Sequence, residues 1–212
     1  MKSFIDISAN QHRQSLIFLT GFMASGKTTV GLALAEALHK DFFDLDLEIE
    51  SRLGKSIAEI FQQEGGAFFR EIEKTVLFDL SRKENAVIAL GGGTLLDEDN
   101  LQVVTEKGIS ICLMTTPEEI WNRIADSEKR RLIAGPDIRG RVLTSDSQIH
   151  RRIEALISIR KPSYDQSDIM IDSTHKTISQ IVQEILIFLE SCQFEKLIQG
   201  PDSSYPSTNL IC

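Results

Sequence analysis

The sequence predicts a three-layer α/β/α protein whose middle layer is a five-stranded parallel sheet. Short runs of β-branched and apolar residues alternate with longer amphipathic segments, which is the pattern of parallel strands covered by helices on both faces. A glycine-rich stretch, GFMASGKTTVG at residues 21–31, joins the first strand directly to the first helix. With 212 residues, 42% of them hydrophobic, the chain can bury one core, and we predict a single domain over residues 1–190.

The individual elements are predicted from the spacing of apolar residues along the chain. The short apolar runs predict strands at Leu16–Thr20, Phe42–Leu45, Ala86–Leu90, Ile109–Met114 and Ile169–Ile171. The longer amphipathic runs predict helices at Lys27–His39, Ser56–Gln63, Ala67–Arg82, Pro117–Ala125, Ile149–Ile159 and Thr177–Glu190. The proline of TTPEE falls in the first turn of its helix, where proline is favoured.

Two segments lack these periods. Residues 127–148 combine a cluster of charges with a Gly-Pro turn and few apolar positions, a composition typical of a mobile lid. Residues 191–212 lose the helical period altogether, and we expect a frayed or disordered tail there.

Composition and charge argue against several classes of protein. A net charge of -8 disfavours a broad nucleic-acid surface, which needs a basic stripe. No apolar run approaches the roughly 20 residues that span a bilayer, and MKSFIDISANQHRQ lacks the apolar centre of a secretory signal. The scattered Cys112, Cys192 and Cys212 predict reduced thiols and no zinc site. We expect a cytoplasmic monomer that acts on small molecules.

The stretch at residues 21–31 fits the phosphate-loop spacing GxxxxGK[ST], with Gly21, Gly26, Lys27 and Thr28 at its defined positions. The glycines let backbone N–H groups turn toward phosphate oxygens, and the following helix adds partial positive charge. Lys27 would reach the β and γ phosphates, and the Thr28 hydroxyl would ligate Mg²⁺. Because a strand precedes the motif and a helix follows it, we prefer this interpretation to a simple glycine turn.

Two further groups of residues follow neighbouring strands. Asp44 and Asp46 in FFDLD lie two residues apart at the carboxyl end of a strand, so we expect both side chains to point to one face. Gly91, Gly92 and Gly93 end the third strand, where many phosphate-loop proteins have a metal-binding aspartate. Together they predict a pocket for a small acceptor at the carboxyl edge of the sheet. Strand termination and a tight turn are the structural alternatives, and the absence of NKxD disfavours a GTPase.

A third group lies in the segment SIAEIFQQEGGAFFREIE. Arg70 and Glu73 are three apart on a predicted helix and therefore share one face, where they can pair. From the spacing alone a surface ion pair is the simpler interpretation. Phe61, Phe68 and Phe69 are expected in the core and not against a ligand.

Six motifs occur in order along residues 16–190: GFMASGKTTVG, DLD, IAEIFQQEGGAFFREIE, VIALGGGTLLD, RRLIAGP and RKPSY. The phosphate loop alone would fit many kinases, but the ordered set resembles the shikimate kinase family. That resemblance implies a phosphate-loop kinase fold with a mobile lid, similar to the nucleoside-monophosphate kinases. It also implies ATP-dependent phosphorylation of the 3-hydroxyl of shikimate, a step of chorismate and aromatic amino-acid biosynthesis.

The resemblance implies roles for the matching residues. Asp46 would contact the shikimate hydroxyls and accept the proton of the attacking one. The residues implied to bind shikimate are Asp46, Arg70, Gly91, Gly92, Gly93 and Arg160. The two arginines would clamp its carboxylate, since guanidinium groups grip carboxylates in a bidentate manner. Glu73 would orient Arg70.

The nucleotide side of the site is implied in the same way. The residues implied to bind ATP are Gly21, Ala24, Ser25, Gly26, Lys27, Thr28, Thr29, Arg123 and Arg130. Arg130 would neutralise charge on the transferring group from the lid, and Arg123 would pack near the adenine. Thr28 and Asp44 would hold Mg²⁺, Asp44 through water. The segment DSTH at 172–175 matches the adenine loop of the family.

Three departures from the family pattern bear on these roles. Arg131 stands where the family usually has proline, so Arg130 and Arg131 are both candidates to face the phosphate. Gly66 replaces a frequent glutamate, and a glycine within a helix weakens it by about 0.5–1 kcal/mol. The connection from Pro136 to Arg160 is longer than usual, which predicts an enlarged lid or an insertion beside it.

Two other functions stay open at this point. A gluconate-type kinase of the same fold would also bind an acceptor with a carboxylate and hydroxyls, although the glycine run with Asp46, Arg70 and Arg160 favours shikimate. A non-catalytic relative could bind ATP or shikimate and signal through the lid or the tail. Every residue that the chemistry requires is present, which favours an active enzyme.

Overall fold

The computed structural model describes residues 15–124, residue 133 and residues 145–198, the side chains of 193–198 excepted. The five strands form one parallel sheet in the order β2-β3-β1-β4-β5. The strands are β1 Leu16–Thr20, β2 Asp41–Asp44, β3 Ala86–Ala89, β4 Ile109–Met114 and β5 Ile169–Asp172. The described helices are α1 Lys27–Leu38, α2 Leu45–Leu53, α3 Ile57–Gln63, α4 Gly65–Leu80, α5 Glu98–Lys107, α6 Pro117–Ile124, α7 Asp146–Tyr164 and α8 Ile178–Ile198, with a 3₁₀ turn at Thr94–Leu96. The predicted α/β fold is confirmed.

Alternate residues of the central strand face two separate cores, because side chains of a strand point to opposite faces. Phe18 packs in a cluster with Leu77 of α4 on one face of the sheet. Its neighbour Ile17 packs with Leu34 of α1 and Ile185 of α8 on the other face. All five residues of β1 are buried, as expected for a strand covered on both sides.

The helix α2 was not predicted, and this corrects the placement of Asp46. The backbone N–H groups of Asp46 and Leu47 donate to the Asp44 side chain, which ends β2 and caps α2 at once. Leu45 and Ile49, four residues apart, are buried, whereas Leu47 is 57% exposed. The inference that Asp44 and Asp46 share the face of one strand was therefore wrong, because Asp46 lies in the first turn of a helix.

Other boundaries also differ from the prediction. The helix α5 was missed because few of its residues are apolar; it is capped by Asp97 and buries only Asn100 and Val104. The helix α7 begins at Asp146, inside the segment assigned to the lid, since Ser145 starts it with a capping box. The last helix continues to Ile198, so its predicted end at Glu190 was wrong.

The other sequence expectations have mixed outcomes. Gly66 lies in the first turn of α4, so it is not in the helix interior that glycine weakens. Cys112 and Cys192 form no disulfide within the described part of the chain, while Cys212 lies outside it. None of the described helices is long and apolar enough to cross a membrane.

His39 provides a test of the local energetics. It ends α1 in a left-handed conformation (φ 54°, ψ 44°), which favours glycine. We expect His39→Gly to unfold with a free energy about 1 kcal/mol higher than His39→Ala, because only glycine adopts this conformation without strain. Urea unfolding of both variants measures the difference, and an equal or lower stability for the glycine variant would contradict it.

Candidate active site

The carboxyl ends of the central strands open into a cavity of about 1430 Å³. A typical pocket for one small molecule has a volume of roughly 300–1,000 Å³, so this cavity has room for a nucleotide and an acceptor together. The predicted site residues that line it are Ala24, Ser25, Gly26, Lys27, Thr28, Thr29, Asp44, Asp46, Arg70, Gly91, Gly92, Gly93, Arg123 and Arg160. Arg130, predicted in the lid, lies outside the described residues, as does Arg131.

The phosphate loop has the conformation that its glycines predict. Gly21 and Gly26 have φ values of 131° and 103°, and a Cβ atom on Gly21 would collide with the Leu113 carbonyl oxygen. Ala24 adopts φ 61° without being a glycine, which is a strained conformation of the kind found at ligand sites. Lys27 Nζ donates to the carbonyl oxygens of Gly21 and Phe22, both at 2.9 Å. Two backbone carbonyls of the loop therefore bind the Lys27 ammonium group.

Thr28 and Asp44 form the part of the site that could hold a metal ion. The Thr28 hydroxyl donates to Asp44 Oδ2 at 2.6 Å, while Asp44 Oδ1 accepts the Asp46 N–H at 3.1 Å. Hydroxyl and carboxylate oxygens are the ligands that Mg²⁺ prefers. No group of three or more His, Cys, Asp or Glu side chains in the described part of the chain could form a complete metal site. This pair suits an ion that takes its remaining ligands from phosphate and water.

Asp46 and Glu73 crowd the first glycine of the run. A Cβ atom on Gly91 would lie 2.9 Å from Thr94 Oγ1, 3.0 Å from Asp46 Oδ1 and 3.1 Å from Glu73 Oε1, so a larger residue would displace these side chains. The Thr94 hydroxyl donates to Glu73 Oε1 at 2.7 Å. Burial raises the pKa of Glu73, and the nearby Asp46 carboxylate adds to this increase, whereas the Thr94 hydrogen bond and the Arg70 charge oppose it.

Arg160 lies against the second and third glycines. A Cβ atom on Gly92 would be 3.1 Å from Arg160 Nη1, and the guanidinium carbon is 5.0 Å from the centre of the Phe22 ring. Arg160 Nε is buried and has no hydrogen-bond partner among the described residues. The Tyr164 hydroxyl donates to the Gly92 carbonyl at 2.6 Å. Burial raises the pKa of Tyr164 to about 12, so this hydroxyl keeps its proton at neutral pH.

Arg123, which also lines the cavity, contacts the phosphate loop. Its Nη1 donates to the Ala24 carbonyl at 3.0 Å, and its Nε pairs with Glu119 Oε1 at 2.9 Å. Lys176 and Ile178 also line the cavity. Arg123, which was expected to pack near the adenine, is thus hydrogen-bonded to the phosphate loop.

Some residues of the site were not identified from sequence. Thr94 and Tyr164 position Glu73 and Gly92, but their own contacts depend on how distant segments pack. Phe69 is buried as predicted, whereas Phe61 and Phe68 are 42% and 39% exposed, so placing these two in the core was wrong. Phe61 and Phe69 both line the cavity, with ring centres 4.6 Å apart.

A sequence model of the shikimate kinase family matches residues 23–190. The shikimate kinase of Chlorobaculum tepidum is 40% identical over 171 residues, which cover 81% of this chain and 88% of that protein. The shikimate kinase of Caldanaerobacter subterraneus is 38% identical over 170 residues, covering 80% and 93% of the two chains.

Among solved structures, a shikimate kinase matches this chain in both fold and sequence. The structure of the Acinetobacter baumannii shikimate kinase in complex with shikimate matches with a TM-score of 0.74 and 30% identity, covering 87% of this chain and 97% of that one. A gluconokinase from Sinorhizobium meliloti matches with a TM-score of 0.51 and 14% identity over 89% of this chain and 98% of its own. The second likeness is one of fold alone.

The buried Glu73 generates a prediction about pH. A carboxyl group with a higher pKa in the folded than in the unfolded state makes the free energy of unfolding fall as pH rises through both values. The ordinary value is 4.5, so this loss of stability begins near there. We expect Glu73→Gln to gain stability relative to the unaltered protein as pH rises from 4 to 8, since the amide can still accept from Thr94.

Urea unfolding across that pH range measures the difference between the two proteins. Glu71→Gln, an exposed position on the same helix, is the matched control and should parallel the unaltered protein. Parallel curves for Glu73→Gln as well would contradict the prediction.

Proposed function

This chain belongs to the shikimate kinase family, and we propose that it transfers the γ-phosphoryl group of ATP to the 3-hydroxyl of shikimate. One observation supports this most directly. The Asp46 carboxylate and the Arg160 guanidinium lie beside successive glycines in the cavity that also contains the phosphate loop. Shikimate carries hydroxyl groups, which a protein carboxylate can bind, and a carboxylate, which a protein cation can bind. This acceptor requires both contacts.

Acceptor binding depends on cations that the chain concentrates locally. Arg160 Nε is buried without a partner among the described residues, and an anionic ligand would offset the cost of that arrangement. Arg70 lines the same cavity and, with Arg160, would hold the acceptor carboxylate between two guanidinium groups. The net charge of -8 does not oppose this, because a local cationic site is set by nearby charges.

Phosphoryl transfer then needs alignment and charge neutralisation more than covalent assistance. The acceptor oxygen attacks the γ-phosphorus, the bond to the bridging oxygen of ADP breaks, and Asp46 accepts the proton of the hydroxyl. For this step Lys27 Nζ would exchange its contacts with Gly21 and Phe22 for phosphate oxygens. Arg130 would neutralise charge from the lid, and lid closure would exclude water that could hydrolyse ATP.

Thr28 and Asp44 would hold Mg²⁺ in this reaction, with Asp44 acting through water. The bound ion would neutralise phosphate charge. The Thr28 hydroxyl oxygen and Asp44 Oδ2 lie 2.6 Å apart, so the fold itself brings these two groups together.

The direct test is ADP release from Mg·ATP, measured without an acceptor, with shikimate and with gluconate. We expect strong stimulation by shikimate alone and a product heavier than shikimate by one phosphoryl group. Tight ATP binding without stimulation by either acceptor would contradict the proposal. Stimulation by gluconate and not by shikimate would favour a gluconate-type kinase.

A pair of variants tests the role of Asp46. Asp46→Asn is expected to lower kcat by at least about 100-fold, because general acid–base groups contribute roughly 10²–10⁴-fold, while ATP still binds. Asp41→Asn, an exposed position at the other end of β2, is the matched control and should keep full activity. An Asp46→Asn enzyme with unaltered kcat would exclude Asp46 as the group that receives the proton.

A further inference from the structure

Ser173 makes an unexpected contact with the phosphate loop. This residue follows β5 and is fully buried, with 0% of its surface exposed. Its hydroxyl lies 3.2 Å from the Ser25 carbonyl oxygen and 2.9 Å from the Met114 carbonyl oxygen. Its backbone N–H also donates to Met114 O at 2.7 Å, which fixes the Ser173 backbone against the end of β4. The one proton of the hydroxyl is shared between these two carbonyls, and one of them belongs to the loop residue before Gly26.

The position of that contact determines what it can control. In a trans peptide the carbonyl of one residue and the N–H of the next point in opposite directions, and the described chain contains no cis bond. A hydrogen bond from the Ser173 hydroxyl to the Ser25 carbonyl therefore directs the Gly26 N–H to the opposite side of that peptide group. Gly26, with φ 103°, is the cap of α1, where backbone N–H groups bind anions.

Arg123 also contacts a carbonyl of the loop, but one peptide group earlier than Ser173 does. Arg123 holds the Ala24 carbonyl, but the Ser25 N–H that follows it already donates to Phe22 O at 3.2 Å within the loop. The Ser173 contact acts on the next peptide group, whose N–H lies at the helix terminus. The glycine at this position has a wide choice of backbone conformations, and so it needs an external restraint.

We infer that Ser173 is a positioning residue for phosphate: through the Ser25 carbonyl it keeps the Gly26 N–H aimed at the phosphate groups of ATP. The inference rests on the proposed function, since it assumes a triphosphate in the loop. It assigns to a residue of the β5–α8 connection an effect on the phosphates, and not only on the adenine that this connection was expected to contact.

Inorganic tripolyphosphate separates these two effects because it has no adenine. The experiment measures binding of magnesium tripolyphosphate and of Mg·ATP to the unaltered protein and to Ser173→Ala by calorimetry. We expect both ligands to bind about five- to tenfold more weakly to the variant, the effect of one neutral hydrogen bond, while shikimate affinity stays the same. Ser173→Thr, which keeps the hydroxyl, should restore both affinities.

Ser110→Ala is the matched control, because Ser110 is also a buried serine but bonds to Asp168 away from the loop. It should lower the melting temperature without changing tripolyphosphate binding. If Ser173→Ala does not fold, Ser173→Cys, with a weaker donor, takes its place.

The outcomes separate the inference from the proposed function. Weaker ATP binding with unaltered tripolyphosphate binding would overturn the inference, as would unaltered binding of both ligands. A protein that phosphorylates shikimate yet shows either of these results keeps the proposed function and loses the inference. An unaltered protein that binds neither phosphate ligand would contradict the proposed function itself.

Discussion

The carboxylate of Asp44 connects the two halves of the site. One oxygen accepts the Thr28 hydroxyl at the start of α1, and the other accepts the Asp46 N–H at the start of α2. The first contact fixes the oxygens suited to Mg²⁺, and the second ends β2 and turns Asp46 toward Gly91. The nucleotide side and the acceptor side thus share one anchoring group at the edge of the sheet.

The rest of the acceptor side is held by buried polar contacts of the same kind. Thr94 donates to Glu73, and Tyr164 donates to the Gly92 carbonyl, so each hydrogen bond restrains one part of the acceptor side. A side chain at Gly91 or Gly92 would crowd Asp46, Glu73 and Arg160, whose charged atoms lie about 3 Å from where a Cβ atom would be. An acidic protein can in this way maintain a cationic pocket around Arg160, since nearby groups set the local field.

Sequence reasoning located the sheet and the phosphate loop because both depend on local patterns: apolar runs of strand length, and a motif of fixed spacing. It failed at Asp46, where LDLEIE alternates like a strand but the cap on Asp44 begins a helix. It also failed at Ser145, a cap within a polar stretch. The contacts of Thr94 and Ser173 could not be predicted, because their partners are far away in sequence and meet only in the folded chain.

The most direct test of this account compares Asp44→Asn with Asp44→Ala in shikimate binding without metal or nucleotide. Asparagine still caps a helix through its side-chain oxygen, whereas alanine cannot, at a typical cost of about 1 kcal/mol. The account predicts that the asparagine variant keeps its shikimate affinity and that the alanine variant loses about fivefold. Equal affinities in the two variants would show that Asp44 does not position Asp46, and would contradict the account.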